Sequence, residues 1–152
     1  MLDFFKDLLV NRPSGGGNSE ALPFSQEQLA AAALMLEVAA ADHTLDDAEL
    51  ATFKQVIGRA YHLDSEQVEH LHQLASHKQE NATSLHQFTQ RINEHSDHQE
   101  KFNLIKAMWQ VALADDDLHK YEENIIRRVA DLIYVSHTDF LVARNLAREE
   151  QQ

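Results

Sequence analysis

Residues 39–49 read AAADHTLDDAE and residues 112–122 read ALADDDLHKYE, so the chain carries one acidic turn twice, 73 positions apart. Asp, Leu and Glu recur at matching places in the two stretches. Each stretch begins with small apolar residues of the kind that end a buried helix. Self-similarity at a fixed offset is the sequence signature of an internal repeat. The sequence therefore predicts one helix-turn-helix unit that occurs twice.

The similarity extends beyond the two turns. Met35 and Met108 precede them at the same offset, and Tyr61 and Tyr134 follow. We therefore expect the repeat to include both flanking helices and the two halves to pack about a pseudo-two-fold axis. In that arrangement both acidic turns would lie on the same side of the molecule.

Capping signatures and 3.6-residue periodicity outline an all-α fold. No stretch shows the sustained alternation of Val, Ile and Thr that is typical of strands. Helix-capping pairs are Ser25 with Gln28, Asp64 with Gln67, Ser84 with Gln87, Ser96 with Gln99, and Ser136 with Asp139. The predicted helices span 26–41, 47–61, 65–78, 85–94, 97–114, 120–133 and 137–149, which makes a single-domain bundle of about seven helices.

Two apolar stripes identify the predicted core. The first contains Leu29, Ala33, Leu36 and Ala40; the second contains Phe102, Ile105, Met108, Trp109 and Ala112. A Trp within such a stripe is typical of packing rather than of ligand binding. The residues that we expect to be substantially buried are Leu36, Phe53, Ile57, Trp109, Ile126 and Leu132.

The composition restricts the classes of function. The 152 residues include 25 acidic and 13 basic ones, for a formal charge of −12. This charge repels nucleic-acid phosphates and favours cationic partners. The absence of cysteine excludes thiol catalysis, thiolate metal sites and disulfides, which is in keeping with a cytoplasmic protein. No apolar run approaches the roughly 20 residues that span a bilayer.

The N-terminal region differs from the rest of the chain. Leu2, Phe5, Leu8 and Leu9 are spaced as on one face of a short amphipathic helix, and residues 11–19 (NRPSGGGNS) have the composition of a flexible linker. We therefore divide the chain into a helix with its linker, 1–22, and a helical domain, 23–152. Three interpretations remain for the segment 2–10: docking on its own domain, an adaptor that binds a protein partner through Phe4, Phe5, Leu8 and Leu9, and peripheral contact with a membrane surface.

The acidic turns are the main candidate site. Their density of carboxylates would be costly through mutual repulsion unless cations or basic partners offset it. Oxygen ligands suit Ca²⁺, Mg²⁺ or Mn²⁺, and an added imidazole would favour Zn²⁺, Ni²⁺ or Mn²⁺. The predicted ligands are Asp42, Asp46, Glu49, Asp115 and Glu122, with His43, Asp117 and His119 as secondary ones.

Other interpretations of the turns remain open. Carboxylates in the first turn of a helix are favoured by capping and by the helix dipole without any ligand. An EF-hand is excluded because the twelfth positions from Asp42 and Asp115 are Phe53 and Ile126 instead of Glu. A metal-dependent hydrolase would use Asp42 and Asp115 as ligands and His43 or His119 as the base. No phosphate loop, nucleophile elbow or His-Glu-x-x-His pattern supports catalysis, so we expect a non-enzymatic protein.

The paired motif resembles that of TerB-like proteins, which are associated with bacterial tellurite resistance. Their pattern is helix-Ala-Asp-Gly-x-hydrophobic-Asp-x-x-Glu, occurring twice in a small helical domain. The resemblance covers residues 25–149; His43 and Asp116 replace the glycines, and His119 replaces the second cap. It implies an all-helical fold with an acidic surface that is a candidate for divalent-cation binding. The function it implies is an interaction or stress-response module with a protein partner.

Overall fold

The computed structural model describes residues 24–40, 47–81, 84–114 and 120–151, apart from the side chain of Gln151. These residues form seven helices and no strand, which confirms the all-α prediction. Every predicted boundary lies within two residues of the observed one. The helices are α1 (Gln26–Ala39), α2 (Asp47–Tyr61), α3 (Ser65–Glu80), α4 (His86–His95), α5 (His98–Ala112), α6 (Lys120–Leu132) and α7 (His137–Gln151).

Two of the predicted capping boxes are present. The Ser25 hydroxyl accepts from the Gln28 backbone N–H at 3.1 Å, and the Gln28 side chain accepts from the Ser25 N–H at 3.0 Å. Asp64 and Gln67 form the same reciprocal pair before α3. These bonds satisfy backbone donors that have no partner inside the helix. At α7, Ser136 Oγ accepts from the Asp139 N–H at 3.1 Å, as predicted.

The predicted caps at Ser84 and Ser96 are wrong. Helix α4 follows Leu85, which makes no side-chain cap. Helix α5 is capped one residue later than predicted, by Asp97 paired with Glu100, because a carboxylate is the stronger acceptor for backbone donors. Ser96 instead donates its hydroxyl to Glu27 Oε2 at 2.9 Å and so connects the start of α5 to α1.

The helices fall into two similar halves, α1 to α3 and α5 to α7, with α4 between them. Helices α1 and α5 pack against each other in the centre; α1 also packs extensively on α3, and α5 on α7. The halves cross over, because α2 contacts α5 and α6 contacts α1. This reciprocal pattern is that of a pseudo-two-fold arrangement, in which each half completes the core of the other.

The core is formed where these helices meet. Leu36, Phe53, Ile57, Trp109 and Ile126 are all buried, as predicted. Trp109 packs against Phe140 of α7 with 5.2 Å between the ring centroids, so its role is packing. Leu132 was predicted to be buried, but it is only partly so. It is the last residue of α6, where the following residue, Ile133, turns inward instead.

Both α2 and α6 end in a left-handed residue that is not glycine. His62 has φ 56° and Tyr134 has φ 64°. The next backbone N–H returns to the helix in each case, from Leu63 to the Gly58 carbonyl at 2.9 Å and from Val135 to the Ala130 carbonyl at 2.8 Å. These are Schellman-type caps. His62 is therefore the structural equivalent of Tyr134, at an offset of 72, and the predicted pairing of Tyr61 with Tyr134 is wrong by one residue.

Candidate functional site

The described residues include part of the predicted site. Glu49 and Glu122 lie in the first turns of α2 and α6. The other predicted ligands lie outside the described residues: Asp42, His43, Asp46, Asp115, Asp117 and His119. The described part of the site therefore consists of the first turns of α2 and α6, which follow the two acidic turns.

Glu49 and Glu122 occupy equivalent and unusual positions. Each lies 73 residues from the other and each is 1% exposed. Glutamate is almost never fully buried unless its charge is compensated. The same burial at both copies of the repeat shows that it belongs to the repeated unit and is not an accident of one half.

The sequence carries a signal for this burial that the motif alone does not show. Glu49, Phe53 and Ile57 are spaced four residues apart, and so are Glu122, Ile126 and Ala130. Residues with that spacing share one face of a helix. Since the apolar members are buried, both glutamates begin the inward faces of their helices.

Within the described ranges, no three His, Asp or Glu side chains are close enough together to hold a metal ion. The two glutamates would therefore need ligands from residues 41–46 and 115–119. Two of the described histidines pack edge-on against aromatic rings: His70 lies 5.5 Å from the Phe24 ring centroid, and His72 lies 5.6 Å from that of Phe53.

A second feature was not predicted from the sequence. A cavity of about 320 Å³ opens between α1, α2, α4 and α5. Two glutamates, Glu27 and Glu100, lie at its rim together with the Tyr61 side chain. None of these three residues belongs to an acidic turn. Residues from four helices meet here, so periodicity within a single helix could not have identified the site.

No helix in the described part of the chain is both long and apolar enough to cross a membrane.

The comparisons with known proteins support the fold and the resemblance. A crystal structure of a protein of unknown function from Porphyromonas gingivalis W83 is similar at a TM-score of 0.61 and 19% identity, covering 84% of this chain and 92% of that one. At this identity the likeness shows the fold alone. No curated protein sequence gives a significant match. The family model described as tellurite resistance protein TerB matches residues 28–145. Since this match covers most of the chain, the chain belongs to the TerB family.

Proposed function

We propose that this TerB-family protein is a non-enzymatic, tellurite-resistance-type interaction module whose two acidic turns bind a divalent cation. The observation that carries the proposal is the equivalent burial of Glu49 and Glu122, one beside each turn. Binding of the cation would organise the acidic surface that a protein partner recognises. The formal charge of −12 favours a partner with a basic surface.

Burial of the two glutamates has an energetic cost. Moving a carboxylate out of water costs several kcal/mol even after the protein relaxes, so opposite charge nearby has a large effect. Asp46 and Asp47 lie three and two residues before Glu49, and Asp115, Asp116 and Asp117 lie five to seven residues before Glu122, so each turn concentrates negative charge. A hard divalent cation would offset this negative charge, and its preferred ligands are carboxylate oxygens. Asp42, Asp46 and Glu49 in one turn, and Asp115 and Glu122 in the other, are the proposed ligands.

The competing explanation is capping. A glutamate in the first turn is stabilised by the helix dipole, and its side chain accepts from backbone donors in a capping box. Capping requires an acceptor at positions 49 and 122 but no negative charge, because glutamine serves equally well in the capping boxes of α1 and α3. Charge-neutral variants therefore separate the two explanations.

Two further functions have less support. A hydrolase would need its ligands around an enclosed cavity, and none of the predicted ligands lines the cavity between α1, α2, α4 and α5. An adaptor that binds through Phe4, Phe5, Leu8 and Leu9 depends on residues outside the described ranges. No described contact favours either function over cation binding.

The test is calorimetric titration of the metal-free full chain with Ca²⁺, Mg²⁺, Mn²⁺ and Zn²⁺. We expect binding by the unaltered protein and its loss in two double variants, Asp42→Asn with Asp115→Asn and Glu49→Gln with Glu122→Gln. Glu66→Gln is the matched control, because Glu66 lies in the first turn of α3 but is exposed. Undiminished binding in both double variants would refute the proposal.

Thermal unfolding of the same variants without metal gives a second, independent result. If the carboxylates serve a cation, Asp42→Asn with Asp115→Asn should preserve or raise the stability of the metal-free protein, since it relieves the mutual repulsion of the carboxylates in the turns. A loss of stability together with unchanged cation binding would identify Asp42 and Asp115 as structural hydrogen-bond acceptors.

A further inference from the structure

The cavity between α1, α2, α4 and α5 has two chemically different parts. Its floor is apolar and consists largely of buried side chains, among them Met35, Ile57, Ile92 and Leu104. Its rim is polar and includes Glu27, Glu100 and Tyr61. At about 320 Å³ it falls in the range of roughly 300–1,000 Å³ that is typical of small-molecule sites.

The two rim carboxylates are held in place by different helices. Glu27 is in the first turn of α1, and its Oε2 accepts a 2.9 Å hydrogen bond from Ser96, 69 residues away. Glu100 is in the first turn of α5, and its Oε1 accepts from the Asp97 N–H at 2.9 Å. Each carboxylate is thus held in one orientation through one of its oxygens. Less side-chain entropy is then lost when a ligand binds.

No positive side chain compensates this rim. The lining contains no lysine, arginine or histidine. Within the described ranges, none of the ion pairs involves Glu27 or Glu100. Burial raises the pKa of Tyr61 to about 12, and the negative charges of Glu27 and Glu100 contribute to the same increase. Tyr61 therefore remains a neutral phenol at physiological pH beside two carboxylates.

The helix dipole accounts for one carboxylate in a first turn, but not for this arrangement. Glu66 has the same place in the first turn of α3, but it does not line this cavity. Glu27 and Glu100, by contrast, come from helices far apart in the sequence and reach the same apolar depression. The convergence of two charges over an apolar floor is a feature of the tertiary structure.

We propose that this cavity is a binding site for an alkylammonium ligand, whose aliphatic body lies on the apolar floor and whose ammonium group is bound between Glu27 and Glu100. The Tyr61 hydroxyl accepts one of the ammonium hydrogens, and the Met35, Ile57 and Leu104 side chains contact the methylene groups. This site is separate from the acidic turns. Its ligand is an organic cation, whereas the turns take a metal ion.

The first experiment compares three probes with one six-carbon chain and different head groups. Amide chemical shifts of the full chain are followed while n-hexylamine, 1-hexanol or hexanoate is added at neutral pH. We expect saturable shifts at Ala31, Ala60 and Ser96 with n-hexylamine, binding at least about fivefold weaker with 1-hexanol, and no binding with hexanoate. Equal binding of the amine and the alcohol, or no binding of the amine, would overturn the proposal.

Charge-neutral variants test the rim. Glu27→Gln with Glu100→Gln keeps both acceptor oxygens, and therefore the bonds to Ser96 and Asp97, but removes both charges. We expect n-hexylamine to bind about tenfold more weakly to this variant, which corresponds to about 1.4 kcal/mol. Glu66→Gln should bind as the unaltered chain does. Unchanged affinity in the double variant would show that the carboxylates do not bind the ligand.

A steric pair of variants tests the location. Ala60 is exposed on α2 at the edge of the cavity, whereas Ala51 is exposed on the same helix outside it. Ala60→Phe should fill part of the cavity and weaken n-hexylamine binding, and Ala51→Phe should not. Because both alanines are exposed, both variants are expected to fold. Equal affinity in the two variants would place the bound amine elsewhere and refute the proposed site.

Two controls separate the outcomes. Asp42→Asn with Asp115→Asn should leave n-hexylamine binding unchanged, so failure of the metal proposal does not remove this one.

The segment 2–10 contains Lys6 among apolar residues and precedes Ser25 at the rim. If Phe5→Ser with Leu8→Ser binds the amine and the unaltered chain does not, the chain's own N-terminal segment occupies the site and the proposal of a separate ligand is wrong.

Discussion

The two halves of the molecule share a plan but differ in how their central helices are enclosed. In α1, an unbroken run from Leu29 to Leu36 is buried and contains four consecutive alanines, residues 30–33. In α5, the equivalent helix, bulky residues such as Met108 and Trp109 are buried, while Gln99 and Asn103 are exposed. One helix is therefore apolar on nearly all sides, and the other is amphipathic.

Helix α4 explains this difference. It packs closely on α1 and makes a minor contact with α6, so α1 is covered by α2, α3, α4, α5 and α6. Close approach from so many directions leaves little space for side chains, which favours alanine. Among the described helices, none covers α5 as α4 covers α1, and α5 keeps a polar outer side. The covering helix, and not the repeated motif, thus decides the composition of each central helix.

The features that both halves retain lie elsewhere. The buried glutamates Glu49 and Glu122 begin the inward faces of α2 and α6. The left-handed caps at His62 and Tyr134 end the same two helices. The start and the end of the second helix are therefore more similar between the two halves than the packing around the first helix is. Variants at equivalent positions in the two halves test this comparison.

The largest effect is expected from truncation of the core of the second half. Trp109→Ala should lower the free energy of unfolding by roughly 3–5 kcal/mol, because it leaves a cavity beside Phe140. Leu36→Ala, at the equivalent position, should cost roughly 2–5 kcal/mol. Trp109→Phe should cost much less than Trp109→Ala, since within the described residues the buried indole N–H has no hydrogen-bond partner to lose. Denaturant unfolding measures all three, and wild-type stability of Trp109→Ala would contradict a packing role.

An intermediate effect is expected when a side chain of α5 is transferred to α1. Ala32 is fully buried and lies at the position equivalent to Ile105. Ala32→Ile should destabilise the protein by roughly 1–3 kcal/mol, because α1 is enclosed too tightly to accept the larger side chain. Ala51→Ile, on the exposed face of α2, is the control and should change stability by only a few tenths of a kcal/mol. If denaturant midpoints show both variants to be equally stable, the alanines do not reflect close packing.

A smaller effect is expected at the left-handed caps. The left-handed conformation costs a non-glycine residue roughly 1–2 kcal/mol, and glycine removes this cost. Glycine also makes the unfolded chain more flexible, which lowers stability by about 0.4–1 kcal/mol. The net effect of His62→Gly should be a stabilisation of about 0.5–1 kcal/mol. Tyr134→Gly should gain less, because it loses the Lys101 ammonium 5.9 Å from the Tyr134 ring. Thermal unfolding measures both. Destabilisation by His62→Gly would show that its side chain makes a contact that outweighs the backbone strain.

The smallest effect at neutral pH is expected at Tyr61. Its pKa is raised from 10.0 to about 12 in the folded protein, by burial first and by Glu27 and Glu100 second. The raised pKa means that the folded state holds the phenolic proton more tightly, so the associated stability is complete below pH 10 and is lost as the pH rises through 12. Tyr61→Phe should therefore change stability little at pH 7 and reduce the decrease between pH 10 and 12. Unfolding midpoints across this range, with Tyr134→Phe as the control, test the assignment.

The sequence predicted all seven of the described helices and part of the capping. Reciprocal pairs such as Ser25 with Gln28 are local, so the residues that form the hydrogen bonds lie three positions apart and can be recognised without a fold. The helix starting at residue 98 was harder to assign. Ser96 and Asp97 are both good caps, and Ser96 is withdrawn by a hydrogen bond to Glu27, which a local pattern does not contain.

The sequence by itself determined the helical period and the concentration of acidic residues in two turns, because both are set by residues that are neighbours in the chain. It also determined the repeat, because a repeat is found by comparing the chain with itself and needs no fold. The close enclosure of α1 by α4 and the convergence of Glu27, Glu100 and Tyr61 on one cavity were decided by the tertiary structure. These properties arise where helices from different parts of the chain meet. Burial and the electrostatic field at a group depend on distances through space, which periodicity along the chain does not define.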